Sequence, residues 1–225
     1  MNYPLLIIFG IAPSLIWLLF FLRKDVHPES NKMIIKVFVW GMIIAIPVAL
    51  LEVGLKNVLE YSTLPLIVIC FLGAALPEEI AKYLVVKIKV VSAPELDEPI
   101  DIMIYMIVAA LGFAALENIL MILPFTSIDL FAASWLRFIT GTFLHVLTSG
   151  LLGYFLALSF LNFRKRWLFL FSGILIASLL HSAYNFFIIM EGTPRVTILA
   201  LLILLSIFIF IGFEKVKKMK SICLY

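Results

Sequence analysis

Seven stretches of nearly unbroken apolar residues run along the chain, at roughly 4–22, 33–51, 63–86, 100–123, 131–161, 168–190 and 194–213. Short segments carrying charges and turn residues separate them. About 20 apolar residues cross roughly 30 Å of hydrocarbon as a helix, so the pattern predicts about seven transmembrane helices. Strands of a membrane barrel would alternate apolar and polar positions over about ten residues, and these runs do not alternate. The expected fold is an all-α polytopic transmembrane bundle, one integral domain over residues 1–225 with no internal repeat and no linker. The first stretch lacks a basic flank and a small-x-small cleavage site, which reads as a retained span rather than a signal peptide.

Composition strengthens this expectation. Hydrophobic residues make up 64% of the chain and charged residues 14%, too few charges to coat a water-exposed surface of this size. A formal net charge of +3 is too small to suggest a nucleic-acid partner. Cys70 and Cys223 form neither a disulfide framework nor a CxxC motif. The basic residues fall into two unequal sets. Arg23, Lys24, Lys32 and Lys36, then Lys87 and Lys89, then Arg164, Lys165 and Arg166, then Lys215, Lys217, Lys218 and Lys220 follow alternate spans. Lys56, Arg137 and Arg195 fall on the other side. The positive-inside rule then puts the N-terminus outside and the C-terminus in the cytoplasm of a multi-pass cell-membrane protein. Trp17, Trp40, Trp135 and Trp167 are expected as interface anchors, and the phenylalanines as lipid-facing bulk.

The polar residues inside the spans carry the chemistry. An ionisable side chain at the centre of a span costs at least about 2.5 kcal/mol, so each one present is paired or functional. Glu78, Glu79 and Lys82 lie in the third span, Glu117 in the fourth, His145 in the fifth and His181 in the sixth. The glutamates and histidines are each about 13 to 17 residues from the start of their spans, which puts them at similar depth. Any one alone would suit helix–helix hydrogen bonding. Their convergence on four successive helices favours a functional site in a polar cavity, with a motif-bearing core at about 63–190. Asp101 and Tyr105 at the entrance of the fourth span, and Arg137 in the outer part of the fifth, are expected as helix-end or supporting residues. Asp25 and His27 belong to a solvated loop.

Spacing refines the roles. Glu78 and Lys82 stand at i, i+4 and share a helix face, an arrangement that neutralises Glu78 and leaves Glu79 as a free base about 100° around the helix. Pro77 is expected to open the helix ahead of them. Gly112, Ala114 and Ala115 permit close helix approach near Glu117. His145 has Thr148 and Ser149 within a turn as hydrogen-bond partners, and His181 shares a face with Asn185. A base, an imidazole and an amide donor suit water activation and attack on an acyl bond. This reading needs no cofactor. A catalytic zinc on Glu79, His145 and His181 is the alternative that the same ligand types leave open. A proton-coupled transporter and a non-catalytic scaffold stay open as well. The chain has no HExxH, no GxSxG and no GxGD aspartate pair.

Glu78-Glu79-x-x-Lys82, Gly112-Phe113-x-x-x-Glu117-Asn118, Arg137 with His145 and Gly150/Gly153, and His181-x-x-x-Asn185 occur in order, each in its own span. In this the chain resembles the PrsW family of bacterial intramembrane proteases, within the group that includes the CAAX prenyl endopeptidases and the Abi immunity proteins. The resemblance implies a glutamate-dependent peptidase that cleaves a single-pass membrane protein, an anti-sigma factor at site 1 being the implied substrate. It implies catalytic roles for Glu78, Glu79, Glu117, His145, His181 and Asn185, with Lys82, Phe113 and Arg137 in support. Glu79 would then be the base, and His181 with Asn185 the oxyanion donors.

Overall fold

The computed structural model describes residues 3–23, 28–59, 61–123, 130–190, 192 and 194–219. Lys24, Asp25, His27, Lys220 and Cys223 lie outside the described residues. The described residues form helices α1 (Tyr3–Leu22), α2 (Asn31–Leu59), α3 (Leu66–Cys70), α4 (Leu76–Lys89), α5 (Pro99–Ile122), α6 (Leu130–Ile139), α7 (Gly141–Leu161), α8 (Arg166–Ile189) and α9 (Arg195–Val216). A π-helical turn, Phe71–Ala75, joins α3 to α4. All seven apolar stretches are thus helical. Among the described residues six helices are long and apolar enough to cross a membrane, with α6 and α7 together forming one of them.

The third stretch is the exception, for a physical reason. Pro77 sits at the start of α4, where its ring would collide with a carbonyl in a regular preceding turn. The wider π turn absorbs this, and such turns gather at functional sites. α4 then carries Glu78, Glu79 and Lys82 on its buried side.

Helix α5 is apolar on every face, as a fully enclosed helix must be. Of its apolar window 94% is buried, against 28% in α1, α2 and α9, so it is the axis around which the bundle is built. It packs on α7, α2 and α1, and α7 in turn packs on α8 and α9. Two glycines make the α2–α5 crossing possible. A Cβ at Gly41 would strike the Ala109 carbonyl oxygen and one at Gly112 the Phe38 carbonyl oxygen, so the two backbones touch. Small residues in the fourth span do what their pattern suggested.

One expectation changes. Trp17 is a packing residue rather than an interface anchor: it stacks on Phe143 at 4.3 Å and its Nε1 donates to the Phe138 carbonyl at 2.9 Å. An indole that can reach a carbonyl on the α6 segment is better satisfied there than at a lipid headgroup. Asp101 caps α5, accepting from the backbone N–H groups of Glu98 at 2.6 Å and Asp97 at 3.2 Å. Tyr105 donates to Glu29 at 2.5 Å. Sixteen residues separate Asp101 from Glu117, about 24 Å along the helix, so this cluster marks the far end of α5 from the polar centre.

Candidate active site

Five helices bring together the residues that the sequence singled out. Glu78, Glu79 and Lys82 come from α4, Glu117 from α5, Arg137 from α6, His145, Thr148 and Ser149 from α7, and His181 from α8. Glu79 and Lys82 are fully buried, and His145, His181 and Glu78 nearly so. Convergence at one depth is therefore contact in space.

The division of roles between the two adjacent glutamates is the reverse of what i, i+4 spacing suggested. Lys82 Nζ lies 2.9 Å from Glu79 Oε1 and 3.3 Å from Glu78 Oε2. Glu79 Oε1 also accepts from Thr148 at 3.0 Å and is 2.9 Å from His181 Nδ1, while Oε2 accepts from Ser149 at 3.0 Å. Thr148 and Ser149 thus serve the Glu79 carboxylate and not the His145 imidazole. Glu79 is the bound anchor of the centre. Glu78 makes the longer contact to Lys82, at 3.3 Å.

Donor and acceptor chemistry then fixes the imidazoles. Lys82 has three N–H bonds to give, and it meets three acceptors: Glu78, Glu79 and His145 Nδ1, the last at 2.8 Å. An ammonium only donates, so His145 Nδ1 accepts and His145 Nε2–H points to Glu117 Oε2 at 2.5 Å. His181 Nδ1–H points likewise to Glu79, which leaves its Nε2 lone pair 3.9 Å from Glu78 Oε2. The two rings meet edge-on with centroids 5.0 Å apart. Phe113 closes one wall, 5.8 Å from the His145 ring and 4.8 Å from Lys82 Nζ.

A second layer of polar contacts holds Glu117. Arg137 Nη2 pairs with Glu117 Oε1 at 3.0 Å and Arg137 Nε donates to Asn118 Oδ1 at 2.6 Å. Asn118 donates to Thr142 at 2.9 Å and to the Gly10 carbonyl at 3.3 Å, so α1, α5, α6 and α7 are tied through one amide. The pattern gave no sign of this role for Asn118. Asn185 is half-buried and makes no side-chain hydrogen bond among the described residues, one turn along α8 from His181.

Glu52 is the residue that the spacing missed. It lies on α2 against Glu78, close to Glu117 and Lys82. The apolar run seemed to end at about 51, but the helix continues to Leu59 and carries Glu52 into the bundle. Val53, Leu55, Val58 and Leu59 beyond it are the signal that could have extended the span.

An all-helical membrane bundle that buries carboxylates, imidazoles and a lysine in one water-sized cluster has the build of an intramembrane hydrolase. The chain belongs to the PrsW family: the family model described as PrsW family intramembrane metalloprotease matches residues 29–212. It is 30% identical over 192 residues to Protease PrsW of Oceanobacillus iheyensis, covering 84% of this chain and 85% of that protein. It is 30% identical over 181 residues to Protease PrsW of Geobacillus kaustophilus, covering 80% and 78%. With Protease PrsW of Bacillus subtilis it shares 28% identity over 217 residues, covering 95% and 94%. No solved structure matches the chain. It is accordingly an intramembrane peptidase and a multi-pass membrane protein.

The family description raises a metal, and the donor set here can take one. Ligand atoms of Glu78, His145 and His181 lie within 4.8 Å of one another and all three residues are buried. Both histidines have their far nitrogen held by a carboxylate, the arrangement that orients imidazole ligands. The carboxyl groups of Glu52, Glu78, Glu79 and Glu117 outnumber the basic side chains of Lys82 and Arg137 around them. Glu78, rather than Glu79, is the carboxylate of this set.

Proposed function

We propose that the protein cleaves a peptide bond of a single-pass membrane protein, with an anti-sigma factor as the substrate that the family resemblance suggests. The reaction is amide hydrolysis by a water held at Glu78. One observation carries this reading: Glu78 Oε2 and His181 Nε2, both buried acceptors, face each other across 3.9 Å. That gap is one a single water bridges by donating a hydrogen to each side.

Glu78 takes one proton from the water as its oxygen attacks the peptide carbonyl carbon. His181, held at Nδ1 by Glu79, keeps the water oriented at Nε2. The Asn185 amide, without a hydrogen-bond partner among the described residues and on the His181 side of α8, donates to the developing oxyanion, and the Lys82 ammonium offsets its charge. Because His181 Nε2 carries a lone pair, the oxyanion role expected for that imidazole passes to Asn185. The intermediate collapses as the C–N bond breaks and the proton held at Glu78 passes to the leaving amine. A zinc-type ion held by Glu78, His145 and His181 would polarise the water and make it more acidic. The N-terminus faces outside and the C-terminus the cytoplasm, because the basic segments at Lys87, Lys89 and Arg164–Arg166 lie at the same end of the bundle.

The test is a comparison of membrane proteomes from cells with the wild-type chain and with Glu78→Gln. A single-pass protein should accumulate uncut with the variant only. Identical proteomes in the two strains would overturn the reading.

A further inference from the structure

Helix α1 precedes the residues that the family model matches, and it carries a break in its own hydrogen bonding. A regular helix sends the N–H of residue 13 to the carbonyl of residue 9. Position 13 is Pro13, which has no N–H, so the Phe9 carbonyl is left for an outside donor. Ser134 on α6 supplies it: its buried hydroxyl donates to the Phe9 carbonyl at 2.6 Å. The next carbonyl along α1, that of Gly10, accepts from Asn118 on α5 at 3.3 Å. A Cβ at Gly10 would strike Ile119, so α1 lies close enough to α5 there to reach the neighbouring amide.

These two carbonyls close a ring of contacts around Arg137. Ser134 and Arg137 stand at i, i+3 and share a face of α6. Arg137 Nε donates to Asn118 Oδ1 at 2.6 Å, and Asn118 leads back to Gly10. On the other side of α6 Phe131, Trp135 and Leu136 are exposed, so its place is set by what it meets on α1, α5 and α7. We propose that α1 is a clasp for the site and that Ser134 is a positioning residue for the hydrolysis. The carbonyl freed by Pro13 fixes the roll of α6 through Ser134, and that roll sets the Arg137 guanidinium against Glu117, which in turn holds His145. Alanine at both positions would pack the same two helices with no carbonyl left to satisfy; what proline and serine add is a directed contact. The proposal rests on the reaction proposed above.

The experiment uses the full chain in cell membranes and follows cleavage of the single-pass protein that accumulates uncut with Glu78→Gln, at varied substrate expression. Ser134→Ala is expected to lower the saturated rate about tenfold with the half-saturating substrate level unchanged. Ser134→Thr, which keeps the hydroxyl, is expected to restore most of that rate. Pro13→Ala gives α1 its own N–H for the Phe9 carbonyl. It should slow cleavage in the same direction while melting in detergent at or above the wild-type temperature, whereas lost packing alone would lower both. Because the clasp acts through Arg137, Ser134→Ala should slow the Arg137→Lys variant far less than it slows the wild type. Wild-type rates in Ser134→Ala and Pro13→Ala, or the full Ser134→Ala loss repeated on top of Arg137→Lys, would overturn the proposal while Glu78→Gln stays inactive. Wild-type cleavage by Glu78→Gln would instead overturn the reading of the site, and this proposal with it.

Discussion

Glu79 Oε1 and Lys82 Nζ, 2.9 Å apart and both fully buried, form the central ion pair of the bundle. Thr148, Ser149 and His181 also hold Glu79, Glu78 and His145 also hold Lys82, and both side chains are fully buried. Removing Glu79 leaves Lys82 with only the longer contact to Glu78, and removing Lys82 takes from Glu79 the ammonium it pairs with at 2.9 Å. Glu79→Gln should therefore destabilise the protein by about 3–5 kcal/mol, and the double variant Glu79→Gln/Lys82→Met by less than the two single changes added together. Glu78→Gln should stay close to the wild type in stability and lose activity. Thermal unfolding in detergent beside a cleavage assay separates the two glutamates, and equal stability losses at positions 78 and 79 would refute their division of roles.

This division was not legible in the sequence. Residues 78 and 79 both lie within one turn of Lys82, and helical spacing ranks i+3 and i+4 as equals. What decides between them is the α7 face opposite, where Thr148 and Ser149 aim two hydroxyls at Glu79. Long apolar runs, by contrast, located every helix, because crossing the bilayer demands length and continuity that no soluble element shows. Glu52 was lost for the converse reason. A span end is set by a gradual change in polarity, and one glutamate just past the boundary looks like a loop. Asn185 was placed with His181 by their shared face, and the structure puts it one turn along α8 from that histidine.

The α2–α5 crossing predicts a second outcome. At Gly112 an added Cβ meets the Phe38 backbone, which has no flexible end to move aside. Gly112→Val should cost on the order of 3 kcal/mol or more, since overpacking against backbone is not relieved by a rotamer change. Gly54, with open space around it, is the control: Gly54→Ala should leave the melting temperature unchanged or raise it slightly. A crossing that tolerates Gly112→Val with full activity would show that Glu52 and Glu117 do not depend on this contact.

Arg137 makes two directed contacts, to Glu117 and to Asn118, that a lysine cannot make together. Arg137→Lys should therefore reduce cleavage about tenfold while the fold holds, because the load falls on the orientation of Glu117 and through it on His145. Gly141 offers an independent check. Its Cβ position lies 3.0 Å from the Arg137 guanidinium carbon, so Gly141→Ala should push the guanidinium aside and impair cleavage in the same direction. Cleavage at the wild-type rate in both variants would remove Arg137 from the site.

The donor set at the centre bears on metal binding. Two clusters in the described residues have the donors for a cation: Glu78, His145 and His181 in the bundle, and Glu29, Asp97 and Asp101 at the far end of α5. They differ in chemistry. Imidazole nitrogens in a dry site suit zinc or cobalt, whereas three carboxylates near a helix start suit calcium or magnesium and are already engaged with Tyr105 and the α5 backbone. Purified protein titrated with cobalt(II) should bind about one ion with a visible absorption band characteristic of nitrogen ligation. That band should vanish in Glu78→Gln and His181→Gln and persist in Asp101→Asn. The opposite pattern, with loss in Asp101→Asn alone, would move the metal out of the site and leave Lys82 as the cation against which Glu78 works.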